Sequence, residues 1–190
     1  LRYIGFDADS EEVERLNQKR NNFKSSKFIS AFVGKKDELV KFDIHYKEGE
    51  SSILPFSENY IKWFFAGGNN YIKKQIEIRS NSLDELIDED IDFIKLDTQG
   101  TEYEILENAQ KCLNSTLMVE CEVEFLQVYK EQKLAHDIFE MMNNLGFELL
   151  YLNRIFGQSS YFKGESRGQI VFGDALFGLS REKAINLEFR

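Results

Sequence analysis

The chain has 190 residues, of which 42 % are hydrophobic and 14 % aromatic, and this composition is typical of a globular domain rather than a disordered segment. Its formal net charge of −9 argues against a general binder of nucleic acids or anionic membranes. The two cysteines lack metal-binding spacing and no apolar run reaches the length of a membrane span, so we expect one cytoplasmic domain over residues 1–190.

The first part of the chain has the pattern of a β-α-β unit. Residues 3–7 form a short apolar run that ends in an acid. An amphipathic helical segment begins near Asp9 and extends to about Arg20. A second apolar run follows at 27–33 and closes at Gly34. This order predicts parallel strands that are joined by a right-handed crossover.

Residues 35–90 interrupt this pattern. Apolar and polar side chains alternate over 40–47 and again over 75–80, which is typical of half-buried antiparallel strands. We interpret the segment as an insertion over the sheet edge that forms a β-hairpin and a lid. An aromatic group between the two strands suits a lid that stacks on a sugar, but aromatic residues at helical spacing more often belong to a core, which we favour. The group consists of Tyr60, Trp63, Phe64 and Phe65.

The most informative stretch follows the insertion. Residues 93–96 are predicted to be a buried parallel strand that ends at Asp97. Gly100 marks a turn with a positive φ or a close backbone approach, and Thr101 has capping-box spacing to the glutamate three residues later. The helix that is predicted to follow carries apolar residues on one face, at Ile105, Leu106, Ala109 and Leu113. Ligands of open α/β sheets lie at the carboxyl ends of the strands, so we expect Asp97, Gln99 and Glu102 to line a site. The alternative for Glu102 is that an acid at a helix start is stabilising without any further function.

The remaining elements complete an α/β pattern. Residues 117–123 are predicted to be a strand, 134–145 a helix, 147–152 a strand, and 169–179 a last strand pair or hairpin arm. The element order predicts an α/β fold with a mainly parallel, Rossmann-like sheet, a last antiparallel strand and the inserted hairpin and lid.

Four blocks of the sequence resemble a known family. The block FIKLDTQGTE at 93–102 is similar to the F-[IL]-K-[IL]-D-x-[EQ]-G-x-E block of the FkbM-type methyltransferases, and residues 5–11, 80–86 and 144–149 are similar to further blocks in the same order. The resemblance implies a methyltransferase fold, S-adenosylmethionine as the cofactor, and O-methylation of a small-molecule or carbohydrate acceptor.

The sequence departs from the family pattern at two places. The glycine-rich first motif would lie before Leu1, and the chain has no initiator Met, so we expect that an earlier strand and helix of the domain are missing from it. Thr101 stands where many relatives have histidine, which removes the obvious imidazole base. A methyltransferase fold that has lost its cofactor and serves as an interaction module therefore stays open. A nicotinamide-dependent enzyme is the weaker alternative, because no glycine fingerprint is visible.

The resemblance also implies roles for the cofactor site. Asp7 would hold the ribose hydroxyls, although a solvated acid at the end of a strand is the plain alternative. The adenine would be bordered by residues near Phe32, Val33 and Gly34. The methionine side or the acceptor would be lined by Asp97, Gln99 and Gly100, unless Asp97 only caps the next helix.

The acids of the strand predicted at 117–123 are further candidates for the site. Asp97 and Glu120 should end adjacent parallel strands about 4.8 Å apart, so that one carboxylate becomes a base for a hydroxyl proton. The alternative is that Glu120 is an ordinary surface residue. Together with Glu122 these acids could bind a hard cation, but no further ligand has suitable spacing and both histidines are isolated, so we expect no metal. The polar segments 51–52 and 158–161 could face an acceptor.

Overall fold

The computed structural model describes residues 1–19, 24–46, 49, 51–64, 72–157 and 168–185. For Trp63 and Phe64 the description covers the backbone alone. The strands in these ranges are β1 (Arg2–Asp7), β2 (Ser25–Ser30), β3 (Phe32–Val33), β4 (Leu39–His45), β5 (Ile72–Asn81), β6 (Phe93–Leu96), β7 (Met118–Glu124), β8 (Phe147–Phe156) and β9 (Ile170–Leu179). The helices are α1 (Ser10–Gln18), α2 (Glu58–Phe64), α3 (Leu83–Leu86), α4 (Glu102–Glu107), α5 (Gln110–Ser115), α6 (Ala135–Asn144) and α7 (Arg181–Ile185). None of these helices is long and apolar enough to cross a membrane.

The strands form three sheets with the orders β1-β2, β3-β5-β4 and β6-β7-β9-β8. The predicted α/β fold, the parallel pairs β1–β2 and β6–β7, and an antiparallel last strand are confirmed. The prediction of a single, mainly parallel sheet is wrong in two respects. The hydrogen-bonded strands that are described do not form one sheet, and three of the six strand pairs are antiparallel. The expected strand at 27–33 is interrupted at Ala31, because Ser25–Ser30 pairs with β1 whereas Phe32–Val33 pairs with β5.

The inserted hairpin is confirmed, and it is joined to the rest of the fold through β5. β4 and β5 pair antiparallel with Phe42 opposite Ile76, as the alternation predicts. The far end of β5 pairs in parallel with β3, with Phe32 opposite Ser80. A register shift between Ile44 and His45 bends the outer end of β4. The hairpin therefore forms a wall beside the carboxyl ends of β1 and β3.

The main core lies between the β6-β7-β9-β8 sheet and helices α3 to α6. The four positions that sequence spacing places on one helix face are all at most 2 % exposed, and they are Ile105, Leu106, Ala109 and Leu113. They lie on two helices and not on one. The first helix ends after Glu107, and its C-cap Asn108 donates from both the backbone N–H (3.2 Å) and the side-chain amide (2.9 Å) to the carbonyl of Glu104.

A second core packs the segment before α2 against β9 and the turn after β7. Its buried members are Phe56, Val128, Tyr129 and Val171. The rings of Phe56 and Tyr129 stack with centroids 4.7 Å apart. Tyr60 packs against this cluster, which confirms the core interpretation for that member of the aromatic group. Phe65 and the side chains of Trp63 and Phe64 lie outside the described residues, as does the segment 158–161.

Candidate active site

A cleft of about 1100 Å³ lies where the ends of β1, β3 and β6 meet the inserted hairpin. One wall is the end of β1 and the start of α1, the opposite wall is the β4–β5 hairpin, and the loop after β6 lies between them. The lining includes five of the residues predicted from the sequence, which are Asp7, Phe32, Val33, Asp97 and Gln99. Gly34 and Gly100 are buried beside these residues in the chain and are not part of the described lining. The structure thus brings together residues that are up to 92 positions apart.

Asp7 is exposed at the end of β1 and faces the cleft. Its Oδ1 accepts the backbone N–H of Asp9 (2.8 Å), and the carboxylate of Asp9 in turn caps α1 by accepting the N–H groups of Glu11 and Glu12. Helix capping therefore belongs to Asp9, and Asp7 orders the turn that leads to the cap. The position of Asp7 is compatible both with a turn residue and with a ligand for ribose hydroxyls.

The loop after β6 is organised by the buried carboxylate of Glu102, a residue that the sequence places at the site but that is not part of the described lining of the cleft. Glu102 is 1 % exposed, and its Oε1 accepts the backbone N–H (2.6 Å) and the hydroxyl (3.0 Å) of Thr98. Its Oε2 accepts the N–H of Gly100 (3.0 Å). Thr101 is the N-cap of α4, as its spacing predicts, but the predicted capping box is wrong, because the side chain of Thr101 makes no capping hydrogen bond. The carboxylate of Glu102 binds the loop backbone in its place.

Two consecutive residues of this loop have a left-handed backbone. The positive φ predicted for Gly100 is confirmed at 99°, and Gln99 has a φ of 57°, which the sequence did not indicate. A Cβ atom at Gly100 would lie 2.8 Å from the ring of Tyr129 and 3.1 Å from Nε2 of Gln132. Only glycine fits here, both by conformation and by space.

Gln99 connects the cleft to two distant parts of the chain. Its Nε2 donates to Oδ1 of Asp97 (3.0 Å), and its Oε1 accepts the hydroxyl of Tyr129 (2.9 Å). Its backbone carbonyl accepts the hydroxyl of Ser52 (2.8 Å). Ser52 is 1 % exposed, so the expectation that it faces an acceptor is wrong, whereas Ser51 lines the cleft. No local pattern in the sequence reveals the partners of Gln99.

The expected adjacency of Asp97 and Glu120 is wrong. β6 pairs with β7 so that Lys95 is opposite Glu120, and the ammonium of Lys95 forms an ion pair with that carboxylate. Continuing the register by two residues places Glu122, not Glu120, level with Asp97. Glu120 is not among the described residues that line the cleft. Its catalytic role stays a prediction that the geometry does not favour.

β7 carries two acids with altered titration, Glu122, which is half-buried, and Glu124, which is buried. Burial, followed by the charges of Glu102, Asp97 and Asp174, raises the pKa of Glu122 to about 8. Burial and the charges of Glu102 and Glu122 raise the pKa of Glu124 to about 9. Within the described residues, Oε1 of Glu124 is buried without a hydrogen-bond partner. Both carboxyl groups are therefore mainly protonated at pH 7.

These acids predict that the protein loses stability as the pH rises. A carboxyl group with a raised pKa binds its proton more tightly in the folded state, so its contribution is present below about pH 4.5 and is lost as the pH rises to about 8 or 9. At about 1.4 kcal/mol per pKa unit, the loss amounts to several kcal/mol. We expect a lower urea midpoint at pH 9 than at pH 6 and a smaller difference in Glu124→Gln. Glu148→Gln, an exposed acid of β8, is the control, and an unchanged difference in Glu124→Gln would contradict the prediction.

His45, which looks isolated in the sequence, also lines the cleft. Its ring meets the ring of Phe56 edge-on, with the centroids 5.5 Å apart, and its Nδ1 is buried without a hydrogen-bond partner in the described part of the chain.

The described residues contain no group of three or more histidine, cysteine or acidic side chains arranged to hold a metal ion. The chemistry that this lining offers is proton transfer and hydrogen bonding.

A sequence model of the FkbM methyltransferase domain matches residues 2–149 of the chain. The matched range begins at β1, ends within β8, and contains every described residue that lines the cleft. No curated protein and no solved structure matches the chain.

Proposed function

The chain belongs to the FkbM family of S-adenosylmethionine-dependent methyltransferases, and from this membership we propose that the cleft holds the cofactor beside a small-molecule or carbohydrate acceptor and methylates an acceptor oxygen. The observation that carries the proposal is the convergence of Asp7, Phe32 and Asp97 on one cleft. These residues come from three different strand ends of the matched domain.

The described residues fit S-adenosylmethionine. A volume of about 1100 Å³ exceeds what one nucleoside cofactor needs and leaves room for a second small molecule. Asp7 offers a carboxylate to a pair of ribose hydroxyls. Phe32 and Phe42, whose ring centroids are 5.4 Å apart, offer an apolar surface to the adenine. The carboxylate of Asp97 offers a negative charge to the sulfonium side of the cofactor or to the acceptor.

The residues of the chain contribute position and proton transfer. When bound, S-adenosylmethionine supplies an electrophilic methyl group. Asp97 accepts the proton that the acceptor hydroxyl loses, and the apolar side chains of Ile44 and Ile76 exclude water from that wall of the cleft. Glu120 is not assigned the role of the base, because Lys95 neutralises it away from the cleft. His45 lies on the same wall as Ile44 and is a second group able to bind the acceptor.

The first experiment is a titration of S-adenosylhomocysteine into the wild-type chain and into Asp7→Asn. We expect the affinity of Asp7→Asn to fall at least tenfold, because an amide accepts only one of two hydroxyls that a carboxylate accepts together. Asparagine keeps the acceptor for the N–H of Asp9, so the melting temperature should be nearly unchanged. Asp92→Asn makes the same chemical change at an exposed position outside the described lining and serves as the control.

The outcomes separate the hypotheses. Equal affinities of wild type and Asp7→Asn would contradict the ribose role of Asp7. No binding by wild type at millimolar concentration would contradict the proposal and favour an interaction module. Incubation with a methyl-labelled cofactor and monosaccharides tests the acceptor, because a methyl ether resists base whereas a methyl ester is hydrolysed. Label that is recovered only on nitrogen or in esters would contradict ether formation on a carbohydrate.

A further inference from the structure

We propose that Tyr129 is a positioning residue of the active site, which holds the side-chain amide of Gln99 in the one orientation that binds Asp97. The inference rests on the proposed role of Asp97 in the cleft. Tyr129 lies 30 positions from Gln99 in the chain and belongs to the second core, not to the described lining of the cleft.

Hydrogen-bond polarity decides the orientation of the amide. A carboxylate only accepts, so the NH₂ group of Gln99 must face Asp97, as its 3.0 Å bond to Oδ1 requires. The amide oxygen then faces the opposite way and needs a donor. The hydroxyl of Tyr129 is that donor, at 2.9 Å. A reversed amide would set two acceptors against each other at Asp97 and would present NH₂ to the phenol oxygen.

The donor itself is held rigidly. Tyr129 is 2 % exposed, and its ring stacks on Phe56 with centroids 4.7 Å apart. The same ring closes the space above Gly100. The backbone N–H of Tyr129 donates to Oε1 of Gln132 (2.9 Å), which fixes the turn that carries it. The position of the hydroxyl is therefore set by the packing of the second core.

The backbone of Gln99 is held by another contact. Its carbonyl accepts the hydroxyl of Ser52 (2.8 Å), and the neighbouring N–H of Gly100 donates to Glu102 (3.0 Å). Removal of the Tyr129 hydroxyl should therefore free the side-chain amide and leave the loop backbone in place. Among the described residues, Gln99 makes the only hydrogen bond to the side chain of Asp97, so the carboxylate loses its one fixed direction when the amide turns.

The test uses Tyr129→Phe, which keeps the stacked ring and removes only the hydroxyl. The primary measurement is ligand-free: hydrogen exchange and chemical shifts of the Gln99 side-chain NH₂ group by ¹⁵N NMR, with the resonance assigned through Gln99→Glu. We expect at least fivefold faster exchange and a displaced pair of signals in Tyr129→Phe, at a melting temperature close to that of wild type. Asp97→Asn, which introduces a donor opposite the amide, should also displace them. Tyr103→Phe removes a phenol hydroxyl from α4 and should leave the signals unchanged.

A second measurement concerns the reaction. With the acceptor that the labelled-methyl experiment identifies, Tyr129→Phe should reduce kcat about tenfold while the affinity for S-adenosylhomocysteine changes less than twofold. Unchanged Gln99 signals in Tyr129→Phe, or an unchanged kcat, would overturn the proposal. Displaced NH₂ signals in a chain that binds no S-adenosylhomocysteine would show that the tyrosine orients the amide although the proposed function is wrong.

Discussion

Replacing Gly100 by alanine is expected to destabilise the protein by about 2–6 kcal/mol, which at about 2–4 °C per kcal/mol lowers the melting temperature by about 10 °C. Two costs add. A backbone with a φ of 99° costs a non-glycine residue roughly 1–3 kcal/mol. The new Cβ, 2.8 Å from the ring of Tyr129, forces repacking that costs about 1–3 kcal/mol more. The affinity for S-adenosylhomocysteine should fall as well, since the loop borders the cleft.

The chain contains a matched control for this substitution. Gly49 has a φ of 80°, and a Cβ added there meets nothing within 4 Å. Gly49→Ala therefore has a comparable backbone cost without the steric one, and thermal unfolding of the two variants separates the contributions. Equal melting temperatures for Gly100→Ala and Gly49→Ala would show that the packing of Tyr129 on Gly100 does not contribute to the stability of the protein.

Removal of the Glu102 carboxylate should have an effect of similar size. Glu102→Ala deprives the backbone N–H groups of Thr98 and Gly100 of their buried acceptor, at about 1–3 kcal/mol for each lost bond, for a total of about 2–6 kcal/mol. Glu102→Gln keeps the shape of the side chain but turns one acceptor into a donor, so we expect a loss of about 1–3 kcal/mol. Urea unfolding of both variants measures these losses.

Glu107 provides the comparison for Glu102, because it lies on the same helix and is exposed. Glu107→Ala and Glu107→Gln should each change stability by less than about 0.5 kcal/mol. If Glu102→Gln were as stable as wild type, the carboxylate would not be the group that holds the loop. If Glu102→Ala does not fold, Glu102→Gln still measures the contribution of the lost acceptor.

Local periodicity explains what the sequence predicted well. Alternation over 40–47 and 75–80 identified both strands of the hairpin, because a half-buried strand exposes every second side chain. Spacing on a helix face identified the buried positions from Ile105 to Leu113, although that segment forms two helices, with a break at Asn108 and Ala109. A glycine after an apolar strand identified the positive φ at Gly100.

Contacts between distant segments explain what the sequence did not predict. The adjacency expected for Asp97 and Glu120 failed by two residues, because the relative register of parallel strands is set by tertiary packing. The pairing of β5 with β3 places the inserted hairpin in a sheet of its own with β3. This pairing likewise depends on where the insertion packs. Ser52 and Tyr129 have no local pattern that connects them to Gln99.

The contacts of Gln99 also bear on the order in which the molecule folds. Its carbonyl is bound by a residue 47 positions earlier and its side chain by a residue 30 positions later. Contacts of such sequence separation close long loops at an entropic cost that local contacts do not have, so we expect them to form late in folding. The loop beside the cleft is therefore completed only when the hairpin insertion and the second core have both docked. We therefore expect a partly folded chain to have most of its secondary structure before the cleft is complete.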